Sequence, residues 1–333
     1  MINTIIYVES PLQFLSSLDY LNKEKQVIIF FRDSQPGLRK TISLSNFSKN
    51  AYPIKSPTSA KLIFKLWKSG SIKYIGFGYL PSVFSLFFVY FFYKSDLIMF
   101  DDGTYSAVVD QSNLVESNVR FKRLRKYIMD SVLNKRKISR YTMMNHEIKR
   151  EYDGIIKWNF ASIPQHFNNL ELPETIQNLL EIKKNIIFYA ESSLSDWVED
   201  KYEKKAYESI ISYSKKHNMH ICIIPHRLSK TNEISELMND FKDYSIIRLG
   251  FSLELFYIEI ELLNSFRGNK IEFAYIFTTA FTLAPFFIKN LPLNLFRIES
   301  ENFYDAKRPI ANIFYDQSII DSQKYKNINI INV

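Results

Sequence analysis

The sequence is poor in cysteine and has no apolar run long enough to cross a bilayer. Cys222 is the single cysteine of the 333-residue chain, so no disulfide can form within it, which favours a reducing compartment. The main apolar run, residues 80–93, has about fourteen residues, fewer than the ~20 that a membrane-spanning helix needs, and we expect a buried helix that Pro81 opens. The N-terminus lacks a basic start and a small-residue cleavage site, so we expect a cytoplasmic protein.

The chain also lacks the sequence signatures of nucleic-acid-binding modules, although it is basic. Its formal net charge is +8, which favours anionic partners. Residues 120–137 hold the densest basic run, with apolar residues at helical spacing. This run is either the solvated face of an ordinary helix or a peripheral docking surface on the anionic cytoplasmic face of an inner membrane. Because the aromatic residues fall in apolar runs instead of alternating with basic ones, we expect no nucleic-acid partner.

Short apolar runs alternate with longer periodic segments, a pattern typical of parallel sheets with crossover helices. We therefore predict an α/β fold of two Rossmann-like, doubly wound domains that face a cleft. The first domain spans residues 1–160, a linker covers residues 161–184, and the second domain spans residues 185–333. The strands expected in the first domain are 3–8, 26–31, 73–76, 96–100 and 138–143. Those expected in the second are 185–190, 220–224, 245–247, 273–276 and 293–296.

Polar segments directly follow four of these expected strands, and ligands of open α/β sheets bind beyond the carboxyl ends of strands. In chain order the segments contain Ser10 and Gln13; Asp101, Asp102 and Gly103; His226 and Arg227; and Thr278 and Thr279. Each segment also has an ordinary structural explanation, because serine and threonine cap helices and Asp-Asp-Gly forms turns.

Two further sets of polar residues have alternative interpretations. Near predicted strand ends or helix starts, four residues either cap a helix or contact the nucleotide; they are Glu191, Ser192, Ser193 and Glu254. Away from the four segments, histidines are expected to be hydrogen-bonded structural residues; they are His146, His166, His217 and His220.

The ordered series SPLQ, DDG, PHR and TT, with IIFYAESSLSDW at residues 186–197, resembles the bacterial sialyltransferases of lipooligosaccharide and capsule synthesis. Those enzymes carry Asp/Glu-Asp/Glu-Gly, His-Pro and Ser-Ser motifs on a GT-B fold. This chain departs from them where Arg227 replaces the proline and where Thr278 and Thr279 replace two serines. Threonine keeps the hydroxyl group. Loss of the proline removes a backbone constraint beside His226, while a guanidinium can itself contact phosphate or carboxylate.

The resemblance implies an inverting sialyltransferase that moves sialic acid from CMP-sialic acid to a galactose-type acceptor of lipopolysaccharide, O-antigen or capsule, with an α2,3 linkage as one option. Asp102 would be the general base, supported by Asp101, and His226 would donate a proton or hydrogen bond to the departing phosphate. The donor would be bound by the second domain and the acceptor by the first. Further donor-binding candidates are Thr278, Thr279, Arg227, Ser10, Gln13 and Gly103.

No metal or other cofactor is expected, because CMP leaves with one phosphate group and DDG lacks the spaced Asp-x-Asp of metal-dependent sugar transferases. No His/Cys cluster at ligand spacing is present in the sequence either. Two alternatives stay open: a transferase of the same fold that uses another nucleotide sugar, and a non-catalytic protein that binds anionic glycolipid or nucleic acid through its basic helix.

Overall fold

A computed structural model describes most of the chain and divides it into two compact units. The described residues are 2–24, 26–34, 37–78, 82–100, 136–142, 154–157, 163–167, 170–192, 194–225, 241 and 243–333. The first unit comprises Met1–Leu170 and Gly250–Ser252, and the second comprises Glu171–Leu249 and Leu253–Val333.

The first unit is built on a parallel sheet. Its described strands are β1 (Thr4–Val8), β2 (Val27–Phe31), β3 (Ala51–Pro53), β4 (Tyr74–Phe77), β5 (Asp96–Met99), β6 (Ile138–Thr142) and β7 (Gly154–Lys157). Its described helices are α1 (Pro11–Lys23), α2 (Leu38–Leu44), α3 (Pro57–Ser69) and α4 (Val83–Phe91). The strand order is β3-β2-β1-β4-β5-β6-β7, so the direction in which the chain adds strands reverses between β1 and β4. Such a reversal, or switch point, opens a crevice beyond the strand ends.

Local sequence explains where the helices of this unit begin. Ser10 precedes Pro11 and Ser56 precedes Pro57, and each serine oxygen accepts a hydrogen bond from the backbone N–H three residues later. Proline suits the first helical position, because its missing N–H has no helical partner there. The central strands are mainly apolar, and β1 and β2 are buried at every residue. Parallel strands covered by helices on both faces have this composition.

The second unit repeats the same plan. Its strands are β8 (Ile186–Ala190), β9 (His220–Ile224), β10 (Tyr244–Ile246), β11 (Ile271–Tyr275), β12 (Leu293–Arg297) and β13 (Ile328–Asn332). Its described helices are α5 (Glu174–Glu181), α6 (Asp200–His217), α7 (Leu253–Arg267), α8 (Thr279–Phe287) and α9 (Arg308–Lys324). The order β10-β9-β8-β11-β12-β13 is again parallel and places the switch point between β8 and β11.

The predicted fold class is confirmed, since both units are doubly wound parallel α/β sheets. Every strand predicted from the sequence is present within two residues of its expected limits, whereas β3, β7 and β13 were not predicted. The prediction for residues 80–93 was partly wrong. The described helix there, α4, begins after Ser82, and Val83 (57%), Phe87 (41%) and Tyr90 (71%) are exposed. Within the described ranges, no helix combines the length and apolar character needed to span a membrane.

Candidate functional sites at the two sheet switch points

The four polar segments singled out in the sequence follow β1, β5, β9 and β11. The structure describes the chain as far as Phe100 after β5 and Pro225 after β9. Asp101, Asp102, Gly103, His226 and Arg227 lie outside the described residues, so the roles inferred for them stay predictions. Ser10, Gln13 and Thr278 are described, and each lies at the carboxyl side of a strand next to a switch point.

At the switch point of the first unit, Gln13 is a buried scaffold residue. The Ser10 side chain caps α1 by accepting a hydrogen bond from the Gln13 N–H at 3.3 Å. The Gln13 side chain is turned back, and its Oε1 accepts from the Glu9 N–H at 2.7 Å. Gln13 is 2% exposed and lies so close to Gly78 that a Cβ there would be 2.2 Å from the Gln13 Cγ. Gln13 thus fixes the turn that leaves β1.

Glu9 is a half-buried carboxylate in the same turn that the sequence analysis did not select. Its Oε1 accepts from the Tyr7 hydroxyl and from Ser82 Oγ, each at 2.6 Å. Burial, together with the hydrogen bond to Glu9, holds the pKa of Tyr7 far above its ordinary value, so the phenol stays a donor. The contact joins the end of β1 to the start of α4. Its only sequence signal was an acidic residue directly between β1 and SPLQ.

At the switch point of the second unit, Thr278 caps the N-terminus of α8. Its Oγ1 accepts a hydrogen bond from the Ala280 N–H at 3.3 Å, and its carbonyl accepts from Phe281. Thr279 is the first residue of the helix. The N-terminal turn of a helix carries backbone N–H groups and a partial positive charge, which together suit a phosphate group. The capping role considered for Thr278 is therefore real, and it is compatible with a ligand role.

Glu191 and Ser192 follow β8, on the other side of the same switch point. Both are buried, at 7% and 6% exposure. The Tyr207 hydroxyl donates to Glu191 Oε1 at 3.2 Å, and burial and the Glu191 charge hold the pKa of Tyr207 far above its ordinary value. Ser192 Oγ has no hydrogen-bond partner among the described residues. Buried hydroxyl groups are normally paired, so this oxygen is suited to bind a ligand or a water molecule.

Two of the histidines that were expected to be structural, His217 and His220, make ring contacts or hydrogen bonds with neighbouring side chains. His220 lies 3.0 Å from Asp243 Oδ1 through Nδ1 and 2.9 Å from Ser245 Oγ through Nε2. The ring of His217 packs on that of Tyr213, with centroids 4.3 Å apart.

His166 is also buried, but one of its ring nitrogens has no hydrogen-bond partner among the described residues. It is buried against Phe47, and its Nε2 has no partner within the described part of the chain. Burial lowers its pKa below the ordinary value. His146 lies outside the described residues.

The basic run at residues 120–137 is described only at its last two residues. Arg136 donates to the carbonyl oxygens of Val89, Phe92 and Ser95 and so closes the C-terminal end of α4. Burial lowers its pKa to about 10. This arginine is therefore a structural residue, and lipid docking through the rest of the run stays a prediction.

Within the described ranges, no three or more His, Cys, Asp or Glu side chains come together as a metal site. Metal independence nevertheless remains a prediction from the sequence, because Asp101, Asp102 and His226 are not among the residues described.

Comparison with known proteins gives a fold relationship at low sequence identity. No family model and no curated protein sequence matches the chain. UDP-GlcNAc 2-epimerase from Methanocaldococcus jannaschii is 12% identical with a TM-score of 0.56, over 99% of this chain and 89% of that one. A putative UDP-N-acetylglucosamine 2-epimerase from Listeria monocytogenes is 10% identical with a TM-score of 0.54, over 97% and 89%. S. aureus MnaA in complex with UDP is 12% identical with a TM-score of 0.52, over 97% and 89%. These similarities support the fold alone, and the fold is GT-B.

Proposed function

We propose that the protein is an inverting, metal-independent sialyltransferase that transfers sialic acid from CMP-sialic acid to a terminal galactose-type hydroxyl of a bacterial surface glycan. One observation carries the proposal. The four segments that resemble sialyltransferase motifs follow β1, β5, β9 and β11, and each of these strands lies at its sheet's switch point or one strand away from it. Ligands of doubly wound sheets bind beyond the carboxyl ends of the strands, in the crevice at the switch point.

In the proposed reaction the first unit handles the acceptor. Asp102 takes the proton of the acceptor hydroxyl, whose oxygen attacks the anomeric carbon of the sialic acid, while Asp101 raises the proton affinity of Asp102 by like-charge repulsion. Glu9 follows β1, which β4 separates from β5 in the same sheet. Its Oε1 is occupied by Tyr7 and Ser82, and among the described residues none bonds its Oε2, which suits a sugar hydroxyl.

The second unit handles the departing nucleotide. As the bond between the anomeric carbon and the phosphate oxygen breaks, its electron pair leaves with CMP. His226 donates a proton or hydrogen bond to the phosphate, and Arg227 offsets its charge. Thr278 and the positive end of the α8 dipole bind the same phosphate. Ser192 Oγ, which is buried and unpaired within the described residues, is a further donor to the nucleotide.

A second donor class is favoured by one observation. The three structures compared above are named for UDP-GlcNAc or contain UDP, so their GT-B folds are associated with uridine nucleotides. A UDP-sugar transferase or related UDP-sugar enzyme is accordingly the alternative to CMP-sialic acid.

Donor turnover tests both the function and the donor. We expect the full chain to release CMP from CMP-sialic acid in the presence of a galactose-terminated acceptor, without added metal and with EDTA present. Turnover of UDP-sugars alone would reject the sialyl donor and favour the alternative.

The residue assignments are tested by matched substitutions. Asp102→Asn and His226→Ala should each lower the rate by at least ~10²-fold. The controls Asp305→Asn and His217→Ala change an exposed carboxylate and a histidine on the last turn of α6, and should leave the rate close to that of the wild type. A non-catalytic binding protein would show no turnover of any donor, and its ligand binding would survive both site substitutions.

A further inference from the structure

We infer that the outer faces of α3 and α4 form a docking surface for an anionic lipid bilayer. This inference goes beyond the proposed function and does not depend on it. The surface, called the aromatic patch below, consists of Phe64, Trp67, Val83, Phe87, Tyr90 and Tyr93.

Exposed aromatic side chains are concentrated on this surface. In the described part of the chain, six large aromatic residues are conspicuously exposed, and Tyr304 is the one that lies outside the patch. Exposure within the patch is 51% for Phe64, 46% for Trp67, 41% for Phe87, 71% for Tyr90 and 66% for Tyr93. Soluble proteins rarely expose apolar groups next to one another unless the surface contacts a partner.

The aromatic rings run continuously across the two helices. The ring centroids of Phe64 and Trp67 are 5.8 Å apart, those of Trp67 and Phe91 are 5.2 Å apart, and those of Phe91 and Phe87 are 5.2 Å apart in a stacked arrangement. Phe91 is half-buried beneath the others. These contacts join Phe64 and Trp67 of α3 to Phe87 of α4 through Phe91, although the two helices are separated along the chain.

This surface is not the face that holds the helices on the sheet. The core-facing residues of α3 and α4 are buried in a shared hydrophobic cluster with strands β1, β2, β4 and β5; they are Ile63, Leu66, Leu86, Phe88 and Val89. An amphipathic helix on a soluble protein needs one apolar stripe. The aromatic patch is a second apolar face, and folding of the unit does not require it.

The chain segment that carries the patch has charges of one sign up to Asp96, which is exposed at the start of β5. Residues 34–95 contain nine lysines and arginines and no aspartate or glutamate. Lys61, Lys65 and Lys68 are exposed on α3, and the Lys68 ammonium lies 5.0 Å from the centre of the Phe64 ring. Lys94 lies 5.6 Å from the centre of the Tyr93 ring. Aromatic rings with lysine side chains beside them suit a bilayer interface. There the rings enter the headgroup region and the ammonium groups contact anionic phosphates.

The same charges argue against a second copy of the chain as the occupant. A two-fold dimer through this surface would place each patch against its own image. Lys61, Lys65 and Lys68 would then face another basic surface without an acidic residue from residues 34–95 to pair with them. An anionic bilayer has the complementary charge and also accepts aromatic rings.

Vesicle flotation of the full chain tests the inference. We expect binding to vesicles of phosphatidylcholine with phosphatidylglycerol and weak binding to phosphatidylcholine alone. The double substitution Trp67→Ser with Tyr90→Ser should weaken binding at least ~10-fold. Changing Lys61, Lys65 and Lys68 to glutamine should weaken it about fivefold for each lysine. The matched controls are Ile313→Ser with Ile320→Ser, which alter exposed apolar residues on α9, and glutamine at Lys204, Lys205 and Lys216 on α6.

A second measurement separates docking from loss of folding. Brominated lipid should quench the emission of Trp67, and Trp67→Phe should bind the vesicles while losing that quenching. Unchanged binding by the Trp67→Ser, Tyr90→Ser variant would overturn the inference. This holds even where vesicle binding is lost when the basic residues of the 120–137 run are neutralised; they are Arg120, Lys122, Arg123 and Arg125. A dimer that this variant dissociates, together with no vesicle binding by the wild type, would overturn it in favour of a second copy.

Discussion

The close approach of Gln13 to Gly78 provides a sharp test of the first switch point. A Cβ on Gly78 would lie 2.2, 2.3 and 2.9 Å from Cγ, Cδ and Nε2 of Gln13, all well inside van der Waals contact. Gln13 is buried and its Oε1 is held by the Glu9 N–H, so it cannot move without breaking that hydrogen bond. Overpacking costs about 1–3 kcal/mol and an unsatisfied buried amide about 1–3 kcal/mol. We expect Gly78→Ala to lower the free energy of unfolding of the first unit by about 2–6 kcal/mol.

Hydrogen-exchange mass spectrometry measures this effect for one unit at a time. Peptides covering β1 and α1 should lose protection, while peptides covering β12 in the second unit should not change. Gly250→Ala is the matched control, because its Cβ would meet nothing within 4 Å, and its effect should stay within about 0.5 kcal/mol.

A double-mutant cycle separates the steric effect from any other property of glycine. In a Gln13→Ala background the three nearest atoms are gone, so Gly78→Ala should cost less than about 1 kcal/mol. An equal cost in both backgrounds, or a wild-type exchange pattern for Gly78→Ala, would refute the reasoning.

Three further predictions concern other described residues. Arg136→Gln should lower the stability of the first unit by about 2–3 kcal/mol, because three carbonyl groups lose a charged donor. It should also expose the end of α4 to hydrogen exchange. The control Arg308→Gln should have little effect. Burial lowers the pKa of His166, so the unfolded chain binds the proton at a higher pH than the folded chain does. The stability of the first unit should therefore fall as the pH drops below 6.5. Denaturant titrations of His166→Phe should lack this part of the pH dependence. Thr278→Val removes the cap of α8 and should raise the donor KM about tenfold, whereas Thr278→Ser should keep it near the wild-type value, and equal KM values would contradict the phosphate-cradle role.

The sequence was sufficient for the parts of the fold that depend on local pattern. Continuous apolar runs marked the central strands, because such strands are covered on both faces, and Ser-Pro marked the start of α1. The strands that were missed lie at or beside sheet edges or are very short. β13 is buried only at Ile328, and β3 has three residues, the last of which is Pro53. Such segments bury too little surface to leave an apolar run in the sequence.

The sequence by itself determined the two doubly wound units and the strand ends after which polar residues lie, because periodicity and helix capping act over a few residues. Tertiary structure alone decided which side chains make hydrogen bonds or ring contacts with residues that are distant in the sequence. Glu9 and Ser82 are 73 residues apart, Arg136 and Ser95 are 41 apart, and the aromatic patch joins α3 to α4. These contacts arise because crossover connections bring segments that are far apart in the sequence to neighbouring positions on one sheet. A local sequence pattern covers only a few residues and cannot predict such a contact.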